Sequence, residues 1–212
     1  TASSVTHNRA RAIVMTMTDV DMQSLFVRLA SSEGKAEIID GEIVLMSPTG
    51  PWPGYAADEI YSSLRLYAKH TKAGIACADS KIFRVHLPRR QSFCPDAAYF
   101  VGNKTSMKYY EGAPTFAVEV RSSGDYGPRA ERQIAAKRSD YFAAGTLVVW
   151  DVDLLSQDVV KVYRRESPDA ATIYRPGDIA EAEPAVPGWT MPVDELLPED
   201  WVYPYVEEGD ED

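Results

Sequence analysis

Cysteine is nearly absent from this 212-residue chain: Cys77 and Cys94 stand apart, with no CxxC pair. A cysteine-built zinc site and a disulfide framework are therefore excluded as organising devices, and the pattern fits a reduced, cytoplasmic protein. Histidine is equally sparse, with His7, His70 and His86 widely spread, so there is no histidine metal motif. No apolar run approaches the roughly 20 residues that a membrane-spanning helix needs. The N-terminus lacks the hydrophobic core of an export signal. Basic charge is short as well. With 22 Lys and Arg against 32 Asp and Glu, the formal net charge is −10, which argues against a broad electropositive surface gripping phosphates. What is present is ordinary: 45% hydrophobic and 25% charged residues, enough to bury a sizeable core.

Taken in order, the polar residues 1–16 read as a flexible arm, residues 17–206 as one domain and residues 207–212 as an acidic tail. Thr18 is expected to cap a helix whose apolar stripe is Leu25, Phe26 and Leu29. AEIIDGEIVLM (36–46) reads as a β-hairpin turning at Asp40-Gly41, with Glu37 and Glu42 on a solvated face. A Pro/Gly loop (47–54) leads to an amphipathic helix over 55–70, with Ile60, Leu64 and Tyr67 on one stripe. Residues 76–87 read as a single strand in which His86 is a half-buried packing residue. Two further strands, 94–101 and 115–121, precede a helix over 129–144 that Gly145 stops. TLVVWDVD (146–153) is a continuous apolar strand of the kind buried on both faces, with Asp151 and Asp153 expected in a solvated turn at its end. VVKVYRR (159–165) and short proline-containing strands follow. The expected fold class is α/β, a mixed α+β sheet with an N-terminal β-hairpin and a β-rich C-terminal extension.

The chemistry concentrates between Cys94 and Tyr141. Asp96 opens one apolar strand and Glu119 sits inside the next. A buried carboxylate is costly unless it has a partner or a cation, so one acid on each of two consecutive strands suggests a shared divalent metal. Mg²⁺ or Mn²⁺ takes oxygen ligands, and the Val120 carbonyl could supply a third. Gln133, Lys137 and Tyr141 recur every four residues and so share a helix face. The competing reading is structural, with Asp96 satisfied by backbone N–H groups and Glu119 in an ion pair with Arg121 or Lys137.

Pro95-Asp96 followed by Glu119-Val120-Arg121, in an α-β-β-β-α-β context, resembles the PD-(D/E)XK nuclease superfamily. AEIIDGEIVLMSP, PDAAYFV, FAVEVRSSGD, KRSDYFAAGTLVVWDVD and VPGWTMPVDELL, in that order, resemble more closely its Uma2 family of restriction-endonuclease-type proteins. The resemblance spans roughly residues 18–200. It implies a restriction-endonuclease-like core, Mg²⁺- or Mn²⁺-dependent cleavage of DNA, and Asp96 and Glu119 as metal ligands. The superfamily pattern wants Lys two residues after the Glu, where this chain has Arg121. An arginine does not readily exchange protons. The resemblance moves the lysine role to Lys137, leaving Arg121 to contact phosphate or to pair with a carboxylate, beside Gln133 and Tyr141 as substrate-binding candidates. A homodimer would serve two-strand cutting. The alternative is a catalytically silent protein that keeps the nuclease fold as an acidic protein-interaction module.

Overall fold

The computed structural model describes residues 19–103, 106–199 and 201. The expected Thr18 cap, the arm and the acidic tail lie outside these residues. The chain opens with α1 (Asp19–Leu29), the hairpin β1 (Ala36–Ile39) and β2 (Glu42–Leu45), and α2 (Pro51–Thr71). Then come β3 (Ile75–Ala78), β4 (Phe83–Arg84), β5 (Ser92–Phe93), β6 (Ala97–Phe100), β7 (Tyr110–Glu111) and β8 (Phe116–Val120). The helix α3 (Pro128–Ala144) leads to β9 (Val148–Val152), β10 (Val160–Arg164) and β11 (Ser167–Tyr174). The described chain closes with β12 (Ile179–Glu181), β13 (Thr190–Pro192) and a 3-10 turn at Val193–Leu196.

Six strands form the central sheet in the order β11-β10-β9-β8-β6-β3. Among the described strands of this sheet only β8 and β9 pair in parallel, and α3 is the crossover between them, as a parallel connection requires. The fold is therefore mixed α+β with a mixed sheet. The two faces of the sheet carry different partners. Val118, Val120, Trp150 and Val152 point to one face, against Ala56, Ile60 and Leu64 of α2. Ala98, Ala117 and Val149 point to the other, against Tyr141 and Phe142 of α3. The C-terminal extension closes the α2 side: Trp189 donates its indole N–H to Ser63 Oγ at 3.0 Å, and Trp150 donates to the Glu181 carbonyl at 3.1 Å.

Local chemistry explains most element boundaries and three departures from the sequence reading. Helix α2 starts at Pro51 rather than residue 55, because Pro51 and Pro53 fall in the first turn, where N–H groups have no intrahelical acceptor. The first helical bond is Gly54 N–H to Gly50 O, at 3.0 Å. The stretch 76–87 is broken at Ser80, whose φ of +62° turns the chain, so β3 joins the central sheet while β4 joins β5 and β7 in a smaller one. His86 is exposed beside Glu111 rather than half-buried. The Asp40-Gly41 turn, both residues at positive φ, forms as expected for a tight hairpin, and Gly145 at φ +111° ends α3.

Leu64 is fully buried between α2 and the sheet. Leu64→Ala should therefore cost about 2–5 kcal/mol through lost transfer energy and a residual cavity. The measurement is the urea midpoint, with an unchanged m-value; a loss below about 1 kcal/mol would show that this face can collapse around the gap.

Candidate active site

A row of acids crosses the middle of the sheet. The register that sets Ala97 opposite Val118 carries Asp96 to the side of Glu119, and Glu119 in turn stands opposite Asp151 in β9. Directly opposed residues on neighbouring strands share a face, so the three carboxylates lie side by side on the α3 face. Asp96 and Asp151 are buried, and the Glu119 side chain is 25% exposed. They border a cleft of about 1110 Å³, with Lys35, Glu37 and Lys137 also in its wall and Trp52 and Tyr126 at its apolar rim.

Like charges at strand spacing are tolerable only if each is answered. Asp96 Oδ2 accepts the Val120 N–H at 2.6 Å, and its Oδ1 contacts the Lys35 ammonium. Lys35 also lies 2.9 Å from Asp79. Glu119 accepts the Tyr141 hydroxyl at 2.6 Å on Oε1 and the Lys137 ammonium at 2.7 Å on Oε2. Lys137 reaches Glu37 as well, at 2.9 Å. Glu37 is fully buried, takes the Cys94 N–H at 3.0 Å, and pairs with Arg90, which also bonds Asp140 at 2.8 Å. Charges thus run from Asp79 through Lys35 to Asp96 and from Glu119 through Lys137, Glu37 and Arg90 to Asp140, alternating everywhere except where the two acids Asp96 and Glu119 meet. Five carboxylates face three cations, leaving two negative charges when all are ionised.

The surroundings divide these groups. Burial would push Glu37 up, but Lys137, Arg90 and the Cys94 N–H hold it below its ordinary value. Burial drives Glu119 above its ordinary value; Lys137 opposes this, while Asp96 and Glu37 push the same way. Lys137 is raised, because Glu119 and Glu37 outweigh the burial that disfavours its charge. Lys35 is raised against burial by Asp96, Glu119 and Asp79. Tyr141 is held well above its ordinary value by burial and then by Glu119 and Glu37, so it stays a neutral donor. Burial pushes the Cys94 thiol up to about 12, against the pull of nearby Lys35, leaving no thiolate at neutral pH.

Of the residues singled out from the sequence, Asp96, Glu119, Val120, Lys137 and Tyr141 come together, and Gln133 lies farther along the cleft wall. Arg121 is engaged elsewhere. Its guanidinium takes Asp151 in a two-point contact at 2.7 and 2.8 Å and also grips Glu131, so of its two expected roles the structure contains the carboxylate pairing. Asp151 and Asp153 are buried rather than in a solvated turn, and Tyr126 donates to Asp153 at 2.9 Å. Arg138 lies over the Tyr163 ring, 3.7 Å from its centroid. Glu37 faces inward, contrary to expectation. Alternation along β1 sends Ala36 and Ile38 into the α1 cluster and Glu37 the other way, where α3 covers it. Lys35, Asp79 and Arg90 were not found from the sequence; each sits in or beside a turn with no motif around it.

A family model for Uma2, described as "Putative restriction endonuclease", matches residues 23–194. The chain belongs to the Uma2 family. The matched span includes every member of the charge chain, from Lys35 to Asp140, together with Asp151. Among solved structures, the Uma2 chain is similar to a crystal structure from Anabaena variabilis titled as "a putative nuclease belonging to DUF820". The TM-score is 0.63 at 15% identity, covering 81% of this chain and 96% of that one. At that identity the likeness establishes a shared nuclease-like fold. No curated protein matches this Uma2 chain. Among the described residues no three His, Cys, Asp or Glu side chains form a ready-made metal cage, and no helix is long and apolar enough to cross a membrane.

The opposite displacements of Glu37 and Glu119 have opposite consequences for stability. Glu37, with its folded value lowered, contributes stability above 4.5 that is lost as pH falls through that lowered value. Glu119, with its folded value raised, loses stability as pH rises from 4.5 through that raised value. Glu37→Gln should therefore cost about 1–3 kcal/mol at neutral pH by leaving Lys137 and Arg90 each one carboxylate short, and progressively less in acid. Glu119→Gln should raise stability at neutral pH, the gain vanishing below 4.5. Denaturant melts of both variants across this range check the signs; a neutral-pH loss for Glu119→Gln as large as that for Glu37→Gln would contradict the assignment.

Proposed function

We propose that this Uma2 protein is a Mg²⁺- or Mn²⁺-dependent endonuclease that hydrolyses phosphodiester bonds of DNA, with Asp96 and Glu119 holding the metal and Lys137 assisting the attacking water. The observation that carries the reading is the adjacency of Asp96, just ahead of β6, and Glu119 in the neighbouring β8, with the Lys137 ammonium 2.7 Å from Glu119 in the same cleft.

The residues fit such a metal chemically. The donors are hard oxygens, and Mg²⁺ uses one or two carboxylates and keeps several waters, so a three-carboxylate cage is not required. The two uncompensated negative charges of the network match one divalent cation. When bound, the metal supplies charge stabilisation at the phosphoryl oxygen and a lowered pKa for its water. The Val120 carbonyl is the third candidate oxygen. The protein's own groups do the rest. Tyr141 fixes the Glu119 carboxylate through Oε1. Lys137, anchored between Glu119 and Glu37, presents an ammonium that can orient a water and offset phosphate charge. Gln133, on the same face of α3, can take a phosphate or base edge. Arg121 acts one layer behind, bracing Asp151 and Glu131. Cutting both strands needs two such sites, so a homodimer belongs to this reading.

A metal binding only the folded state at about 100 times its Kd adds about 2.7 kcal/mol, or roughly 5–10 °C for a chain of this size. Mg²⁺ or Mn²⁺ should raise the Tm of the wild type by that order and should not raise that of Asp96→Ala or Glu119→Ala. Plasmid cleavage should be lost in both variants and should fall about 100-fold or more in Lys137→Met. The rival reading, a silent nuclease-fold interaction module, has the closed ion-pair network in its favour. It requires a flat Tm and intact DNA at every metal concentration.

A further inference from the structure

Lys35 has no part in the chemistry above, yet its ammonium occupies the cleft on one of the two candidate ligands. The residue immediately precedes β1, and its side chain is only 11% exposed. Nζ contacts Asp96 Oδ1 while lying 2.9 Å from Asp79 Oδ1, and the Glu119 charge reaches it as well. Asp79 sits in the turn after β3 and is 34% exposed. The ammonium therefore bridges a buried inner carboxylate and an outer one at the surface.

We propose that Lys35 is the resident counter-cation of Asp96, exchanging with the divalent metal on that carboxylate and withdrawing to Asp79 when the metal binds. The proposal rests on the metal-site reading given above. Three features support it. A buried Asp96 without a cation would be an uncompensated charge, so the metal-free fold needs Lys35 there. Asp96 Oδ2 is taken by the Val120 N–H at 2.6 Å, so the oxygen left for a metal on Asp96 is Oδ1, the one that the Lys35 ammonium holds and guards by charge repulsion. Finally, lysine is a point charge on a flexible four-carbon stem, and Asp79 gives it a second anchor, so that leaving Asp96 does not strand the charge. The device keeps the row of acids folded without metal while leaving it open to one.

The test is Mn²⁺ titration calorimetry at neutral pH on the full chain, comparing wild type, Lys35→Met, Asp79→Asn and the double variant. Removing the competing charge should tighten Mn²⁺ binding roughly tenfold in Lys35→Met. Asp79→Asn should weaken it when Lys35 is present and leave it unchanged in the Lys35→Met background, because Asp79 acts through the lysine. If Lys35→Met binds Mn²⁺ with equal or lower affinity than wild type, Lys35 merely positions Asp96 and the proposal fails, with the metal site intact. If Lys35→Met does not fold, Asp79→Asn decides alone: an unchanged affinity overturns the proposal. Absence of Mn²⁺ binding by every form overturns the metal site and this role together.

Discussion

The structure depends on how three carboxylates can stand side by side on the buried face of one sheet. Asp96, Glu119 and Asp151 are brought into a row by the β6-β8-β9 register, and an unanswered row would be strongly unfavourable. Much of the rest of the fold delivers its counter-charges. The segment entering β1 brings Lys35, α3 brings Lys137 and the Tyr141 hydroxyl, and the end of β8 brings Arg121. Even the hairpin is held in place by this need. Its Glu37 ties Lys137 to Arg90, while Gln91 N–H to Ile38 O and Ile38 N–H to Ser92 Oγ stitch β1 to the strand that precedes Asp96.

The three pairs differ in kind. Asp151 with Arg121 is a rigid two-point contact, suited to bracing and poorly suited to exchange. Asp96 and Glu119 are answered by lysines, whose charges are mobile, and the balance around them is left two charges negative. Glu119 is kept above its ordinary value by burial first, its neighbouring acids adding to it. That combination, an acid held uncomfortably next to an exchangeable cation, is where a site trades stability for chemistry. It also reconciles an overall charge of −10 with a nuclease-family fold. Asp96, Glu119 and Asp151 border the cleft, whereas the α3 bases Lys137 and Arg138 are drawn inward by Glu119, Glu37 and Tyr163.

Much of this was legible in the residues themselves. The β-branched arms around the Asp40-Gly41 signal specify the hairpin, and the continuous apolar run that becomes Val148–Val152 specifies a central strand. The four-residue spacing of Gln133, Lys137 and Tyr141 specifies the helix face turned to the acids. What stayed hidden depends on contacts distant in sequence. Glu37 reads as solvent-facing in β1 alone, because the groups that meet it, Lys137 of α3, Arg90 and the Cys94 N–H, are all distant in sequence. Lys35 and Asp96 are 61 residues apart, Arg90 lies in what reads as a plain turn, and the burial of Asp151 is answered by Arg121, a residue just past the end of β8. The early start of α2 was missed for a different reason: two prolines read as a loop also suit a helical first turn.

The Asp96–Glu119 pair, proposed as a metal site guarded by lysines, is best tried by anomalous diffraction from crystals grown with and without Mn²⁺. An anomalous peak is expected within coordinating distance of Asp96 and Glu119 carboxylate oxygens, with Lys35 moved off Asp96 toward Asp79. A Mn²⁺-saturated crystal with no peak there, and Lys35 still seated on Asp96, would rule the site out.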